Sequence, residues 1–142
     1  MTPSSPPLSG FARIVAAALV IWAAVNLVLM WRLGGYDQGE PNLPRILSAK
    51  VPLWPFDLLA WGALFLCGLF LLRRSRLAVP TAFLHLGASL VGVWGHVDQA
   101  AWGRVVPPKV LPVFVGFWGG AVILSVVLVL WTLRLARRST LT

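Results

Sequence analysis

The chain has 142 residues, of which 58% are hydrophobic and 11% charged, with a mean hydropathy of +0.84. A soluble domain carries roughly a quarter charged residues, so this composition excludes one. The net charge of +8 does not argue for a nucleic-acid partner, because basic residues in membrane proteins collect on the flanks of their spans.

Four apolar runs fill most of the sequence, at about 11–31, 54–72, 77–97 and 110–133. Each is long enough to cross a ~30 Å hydrocarbon core as a helix. The predicted fold is all-α: a polytopic membrane protein built as an antiparallel four-transmembrane-helix bundle, with helices crossing near 20°. No separate globular domain fits beside the four spans and their links.

Residues 1–10 are rich in Pro and Ser and are expected to be a disordered cytoplasmic segment. The first run is read as a retained span rather than a signal peptide. No basic residue precedes Arg13, the apolar run exceeds the usual h-region, and Trp31-Arg32-Leu33 follows in place of a small-residue cleavage site. Asn26 is a polar residue in the outer half of this span.

The link at 33–53 carries Gly34, Gly35, Pro41, Pro44 and Pro52, so turns or extended chain bound it, with a short surface helix expected at 43–50. It is longer than a hairpin needs, which favours partner binding there. The second span holds Asp57 about one turn from its outer end, and the single cysteine, Cys67. One thiol makes neither an internal disulfide nor a C-x-x-C redox pair, so Cys67 is read as a small apolar filler. Asp57 is either a helix-start carboxylate, favoured by free N–H groups and the dipole, or part of a site.

Arg73-Arg74-Ser75-Arg76 is the shortest link, which makes the second and third spans antiparallel neighbours. Arg73, Arg74 and Arg76 are assigned to topology and contact with anionic lipid headgroups. In the third span Thr81, His85, Ser89, Gly92, His96 and Gln99 fall within about 80° on a helical wheel. Phe83, Leu86, Leu90, Trp94 and Val97 occupy the other side. Hydrocarbon satisfies no donors or acceptors, so the polar stripe should face inward and the apolar face should meet lipid. Ala88, Gly92 and Gly95 lie beside the stripe and admit a close backbone.

His85 is near the middle of its span. An intramembrane ionisable side chain is by default a functional candidate, with Ser125 and Cys67 as partners at its depth. The plainer reading is a histidine hydrogen-bonded across helices as packing glue. His96 lies three turns further along the same face, about 16 Å away. That separation is too great for one metal ion, and two histidines on one helix do not supply facing haem ligands. No metal, haem or other cofactor is expected.

The fourth span contains Gly116 and Gly120 in a G-x-x-x-G arrangement. The pattern suggests close packing within the chain, with a protein partner, or with a second copy. Pro80 and Pro112 fall in first-turn positions that a helix tolerates. The tail, 135–142, is basic.

Sidedness follows from charge. Arg13, Arg73, Arg74, Arg76, Arg134, Arg137 and Arg138 lie on one side with no acidic residue. The other side holds Arg32, Arg45, Lys50, Arg104 and Lys109, with Asp37, Glu40, Asp57 and Asp98 in or near its links. Both termini are therefore expected in the cytoplasm of a bacterial inner membrane.

Two functional readings follow. In the first, the chain is a non-catalytic accessory or interaction subunit, since no nucleophile–base pair, metal spacing or phosphate loop is present. In the second, it binds or moves a small ligand, ion or proton, using the polar face of the third span, with His85 and Ser89, together with Asp57. Asn26, Asp57 and His96 would line an outward-facing cup with Asp98 and Arg104 at its rim. Equal distances from the Arg73–Arg76 link give similar heights, so Asp57 and His96 are expected as a facing pair about 6 Å apart in level. A lipid- or quinone-directed enzyme is a third and thinner reading, because no catalytic constellation assembles beyond His96 and Asp57.

Overall fold

The structure, a computed structural model, describes residues 8–33, 54–103, 111–138 and 141. Side chains at 30, 31, 33, 54, 95–103, 111, 114, 115, 117 and 118 fall outside that description. So do the disorder expected at 1–7, the surface helix expected at 43–50, and the side chains of His96, Asp98 and Gln99.

The chain forms four helices: α1 (Gly10–Leu33), α2 (Trp54–Leu72), α3 (Ala78–Gly103) and α4 (Leu111–Arg137). No strand occurs among the described residues. Three helices are long and apolar enough to cross a membrane, over Gly10–Leu29, Pro55–Leu72 and Gly119–Arg137, while α3 is apolar over Ala78–Trp94. The molecule is a polytopic helical membrane protein. Large apolar side chains stand exposed along every helix, among them Ile21, Leu66, Leu90 and Ile123, and lipid is the environment that accommodates such a surface.

Helix ends follow local chemistry. Leu8 is buried and Ser9 caps α1: its hydroxyl accepts from the Ala12 N–H at 3.2 Å. Order thus begins before residue 11. Pro55, Pro80 and Pro112 all lie in first turns, where a missing N–H costs no helical bond. α3 and α4 run past the expected ends at 97 and 133 to Gly103 and Arg137. A helix stops where the backbone turns, not where apolar residues run out, and arginines suit the C-terminal end of the α4 dipole.

The α2–α3 turn closes through two bonds. The Arg74 N–H donates to the Leu71 carbonyl at 3.0 Å and the Ser75 N–H to Phe70 at 2.8 Å. Arg74 takes a left-handed conformation with φ of 59°, the Schellman geometry usually given to glycine. Ser75 then leads into α3, its hydroxyl accepting from the Leu77 N–H at 3.3 Å.

α1 packs on α2, α2 on α3, and α3 on α4, the three extensive interfaces among the described residues. Small side chains set these contacts: Ala12, Ala16 and Ala23 of α1, Ala60 and Ala63 of α2, and Ala78, Ala82 and Ala88 of α3 are all buried. Between helices in lipid there is little hydrophobic drive, so close van der Waals approach supplies the attraction. A close crossing lies at Gly68, beside Ala16 and Val20 of α1. Further along, Trp22 meets Trp61 edge to face with ring centroids 6.4 Å apart, a contact worth about 0.5–1.5 kcal/mol beyond area burial. At the other end of α4, Leu141 is completely buried in the core cluster and its carbonyl accepts from Arg76 Nε at 3.3 Å. Leu141 therefore lies against the α2–α3 turn.

Candidate functional site at the His85 junction

α3 presents its polar stripe to its neighbours. His85 is 9% exposed and Gly92 is buried, whereas Phe83, Leu90 and Trp94 are 49%, 48% and 76% exposed. Ser89 is half-buried. Leu86 departs from the wheel, because it packs against the core cluster instead of facing lipid. It lies one residue from His85, at the edge of the buried arc, where neighbouring helices reach it. In a cysteine scan with a lipid-soluble thiol reagent, positions 83, 90 and 94 should label readily, and 85 should be protected. Labelling at 85 matching that at 94 would mean that α3 is rotated.

His85 joins three helices. Its Nδ1 lies 2.9 Å from the Ala60 carbonyl of α2, and its Nε2 lies 3.1 Å from the Ser125 hydroxyl of α4. A carbonyl only accepts, so Nδ1 carries the hydrogen and donates to Ala60. Nε2 can then accept from Ser125. That hydroxyl also lies 2.9 Å from the Ala121 carbonyl one turn earlier, so its single hydrogen is divided between two acceptors. Ser125 is 3% exposed.

Of the two partners expected for His85, Ser125 is in contact. Cys67 is not: its thiol points to the Ala78 carbonyl at 3.5 Å, two turns nearer the α2–α3 turn. The α2 partner is instead the backbone carbonyl of Ala60. A carbonyl carries no signature in the side-chain alphabet, and the helix face bearing it was not evident from residue types.

The α2–α3 seam is antiparallel and in the register that the short link dictates. Asp57 and Gly92 are each sixteen residues from the ends of the Arg73–Arg76 link, and they meet: a Cβ added to Gly92 would lie 3.1 Å from Asp57 Oδ1. Asp57 is half-buried in the first turn of α2. Gly92 is one turn from His96, so Asp57 reaches the α3 face on which His96 lies. The side chain of His96, the other half of the expected pair, is outside the described residues. Asn26 is 7% exposed, and its Nδ2 donates to the Trp22 carbonyl of its own helix at 2.8 Å. Along α3, His85 lies about two turns from Gly92, the residue that Asp57 meets. Asn26 is one turn beyond Trp22 and Asp57 one turn before Trp61, and those two rings are in contact, so Asn26 and Asp57 stand at one level of the α1–α2 seam.

Gly116 is exposed, and a Cβ added at Gly116, Gly119 or Gly120 would meet nothing within 4 Å. No described neighbour covers this motif. Groups of three metal-ligating side chains do not occur among the described residues. An open apolar groove of about 350 Å³ runs along α2 beside Leu84, lined by Pro55, Leu58, Leu59, Gly62, Ala63 and Leu66. It holds no reactive side chain.

Compared with known proteins, the chain matches no family model, no curated protein and no solved structure.

Proposed function

We propose that this chain is a non-catalytic accessory or interaction subunit of a membrane assembly. The observation that supports this reading is the engagement of His85. The most reactive side chain near the middle of the membrane bonds a helix on either side, at both ring nitrogens, as a structural tie does. A proton or ligand handler would instead present that ring to a polar cavity. The lipid bilayer is the first partner. A protein partner, or a second copy at the Gly116–Gly120 face, is the next.

The decisive experiment is purification in mild detergent followed by mass spectrometry of whatever co-purifies. A stoichiometric protein is the expected result. A single retained small molecule without a protein would instead favour the second reading, with Asp57 against Gly92 as its anchor.

The proposed setting is a bacterial inner membrane with both termini cytoplasmic. Seven arginines and no acidic residue on that side support it. An export-dependent reporter fused after Thr142 should stay inactive, and strong activity there would reverse the topology.

A further inference from the structure

The turn after α2 and the end of α4 each carry three arginines: Arg73, Arg74 and Arg76, and Arg134, Arg137 and Arg138. In sequence these are two separate groups. In the fold they share one end of the molecule, because Leu141, just beyond α4, docks beside the turn. Leu141 is fully buried in the cluster that includes Ala78, and Arg76 Nε donates to its carbonyl. Arg73, Arg76, Arg134, Arg137 and Arg138 are exposed. Among the described side chains the one acid, Asp57, is at the opposite end of α2.

We propose that the α2–α3 turn and the end of α4 form one binding site for the phosphate of an anionic phospholipid, held together by the docked Leu141. The guanidinium group suits phosphate, with five N–H donors in a planar fork. Only one of those on Arg76 is given to Leu141. Position selects a lipid over other polyanions. Leu72 and Leu77 flank the turn at 41% and 54% exposure, so Arg73 and Arg76 emerge where the apolar surface ends. Lipid phosphates lie at that boundary, and a basic side chain near it contributes about fivefold to anionic-lipid affinity.

The test uses the full chain reconstituted in phosphatidylcholine containing a minority of phosphatidylglycerol, then extracted and weighed by native mass spectrometry. Bound lipid should be enriched in phosphatidylglycerol over the bulk. Arg73→Gln with Arg137→Gln should lower that enrichment by more than tenfold, and Arg73→Lys with Arg137→Lys should keep most of it. Leu141→Ser leaves every arginine in place and should still lower the enrichment several-fold. Circular dichroism and gel filtration identify any variant that fails to fold; for Leu141, Leu141→Met is the folded control and should bind as the parent does. Unchanged enrichment in the double glutamine variant overturns the site. Unchanged enrichment in Leu141→Ser overturns the part given to Leu141 in holding it together. Displacement of the lipid by millimolar inorganic phosphate would show a free-anion site, and displacement by a short RNA a general polyanion surface. Either result would overturn the lipid assignment.

Discussion

Gly68→Ala should destabilise the protein, although alanine is the better helix former. At an unobstructed helical position the exchange gains up to about 1 kcal/mol. At Gly68 the new methyl carbon would stand 2.7 Å from Val20 Cγ2, 3.0 Å from the Ala16 carbonyl oxygen and 3.1 Å from the Val20 nitrogen. Two of these atoms are backbone and move only if α1 moves. The third belongs to a β-branched side chain, which has essentially one helical rotamer. Overpacking of this kind costs about 1–3 kcal/mol, so the net expectation is a loss of about 1–2 kcal/mol, larger for Gly68→Leu. Gly87→Ala is the matched control. It is also helical and exposed, and its Cβ would meet nothing within 4 Å. It should raise stability slightly. Both variants can be compared by reversible unfolding in one detergent. If they move in the same direction, α1 and α2 do not cross as closely as these distances require.

How much of this was legible in advance depended on whether a feature is written in side chains. Span positions follow from apolar length, and α2 begins and ends where its composition changes. The inward face of α3 was legible because Thr81, His85, Ser89 and Gly92 recur at helical spacing. The level of Asp57 against Gly92 was legible because a four-residue link leaves antiparallel helices little freedom of register. Three other features were not. The Ala60 carbonyl that holds His85 is backbone, and alanine gives no hint of it. The close α1–α2 crossing involves Gly68, a single glycine in an apolar run, while the more conspicuous Gly116–Gly120 pair meets nothing within the described chain. Leu141 is one apolar residue in a polar tail, and its burial depends on where the α2–α3 turn lies in space. The common cause is that helix faces can be read from periodicity, but which neighbour covers a face is decided by all four helices together.

That distinction bears on His85, where the structural and functional readings predict different losses. Replacement by alanine should cost about 2–4 kcal/mol, because it removes a buried ring between α2, α3 and α4 and leaves a cavity. His85→Leu keeps most of the volume but neither hydrogen bond. Each bond between helices in a membrane is worth only about 0.6 kcal/mol on average, and at most about 1.7, so His85→Leu should cost about 1–2 kcal/mol. Ser125→Ala should cost less again. It breaks one of the two ties, and the Ala121 carbonyl that also received the Ser125 hydroxyl keeps its place in the helix ladder. In a double-mutant cycle, His85→Leu and Ser125→Ala should be less than additive, since both remove the same contact. This graded order, alanine worst and serine loss mildest, is the signature of a packed joint. A histidine that works on a ligand would give another pattern: His85→Ala and His85→Leu would abolish retention of that ligand equally while unfolding changed little. Measuring unfolding and co-purification on the same three variants therefore separates the two readings. A His85→Ala protein as stable as its parent would remove the joint, and with it the main support for an accessory role.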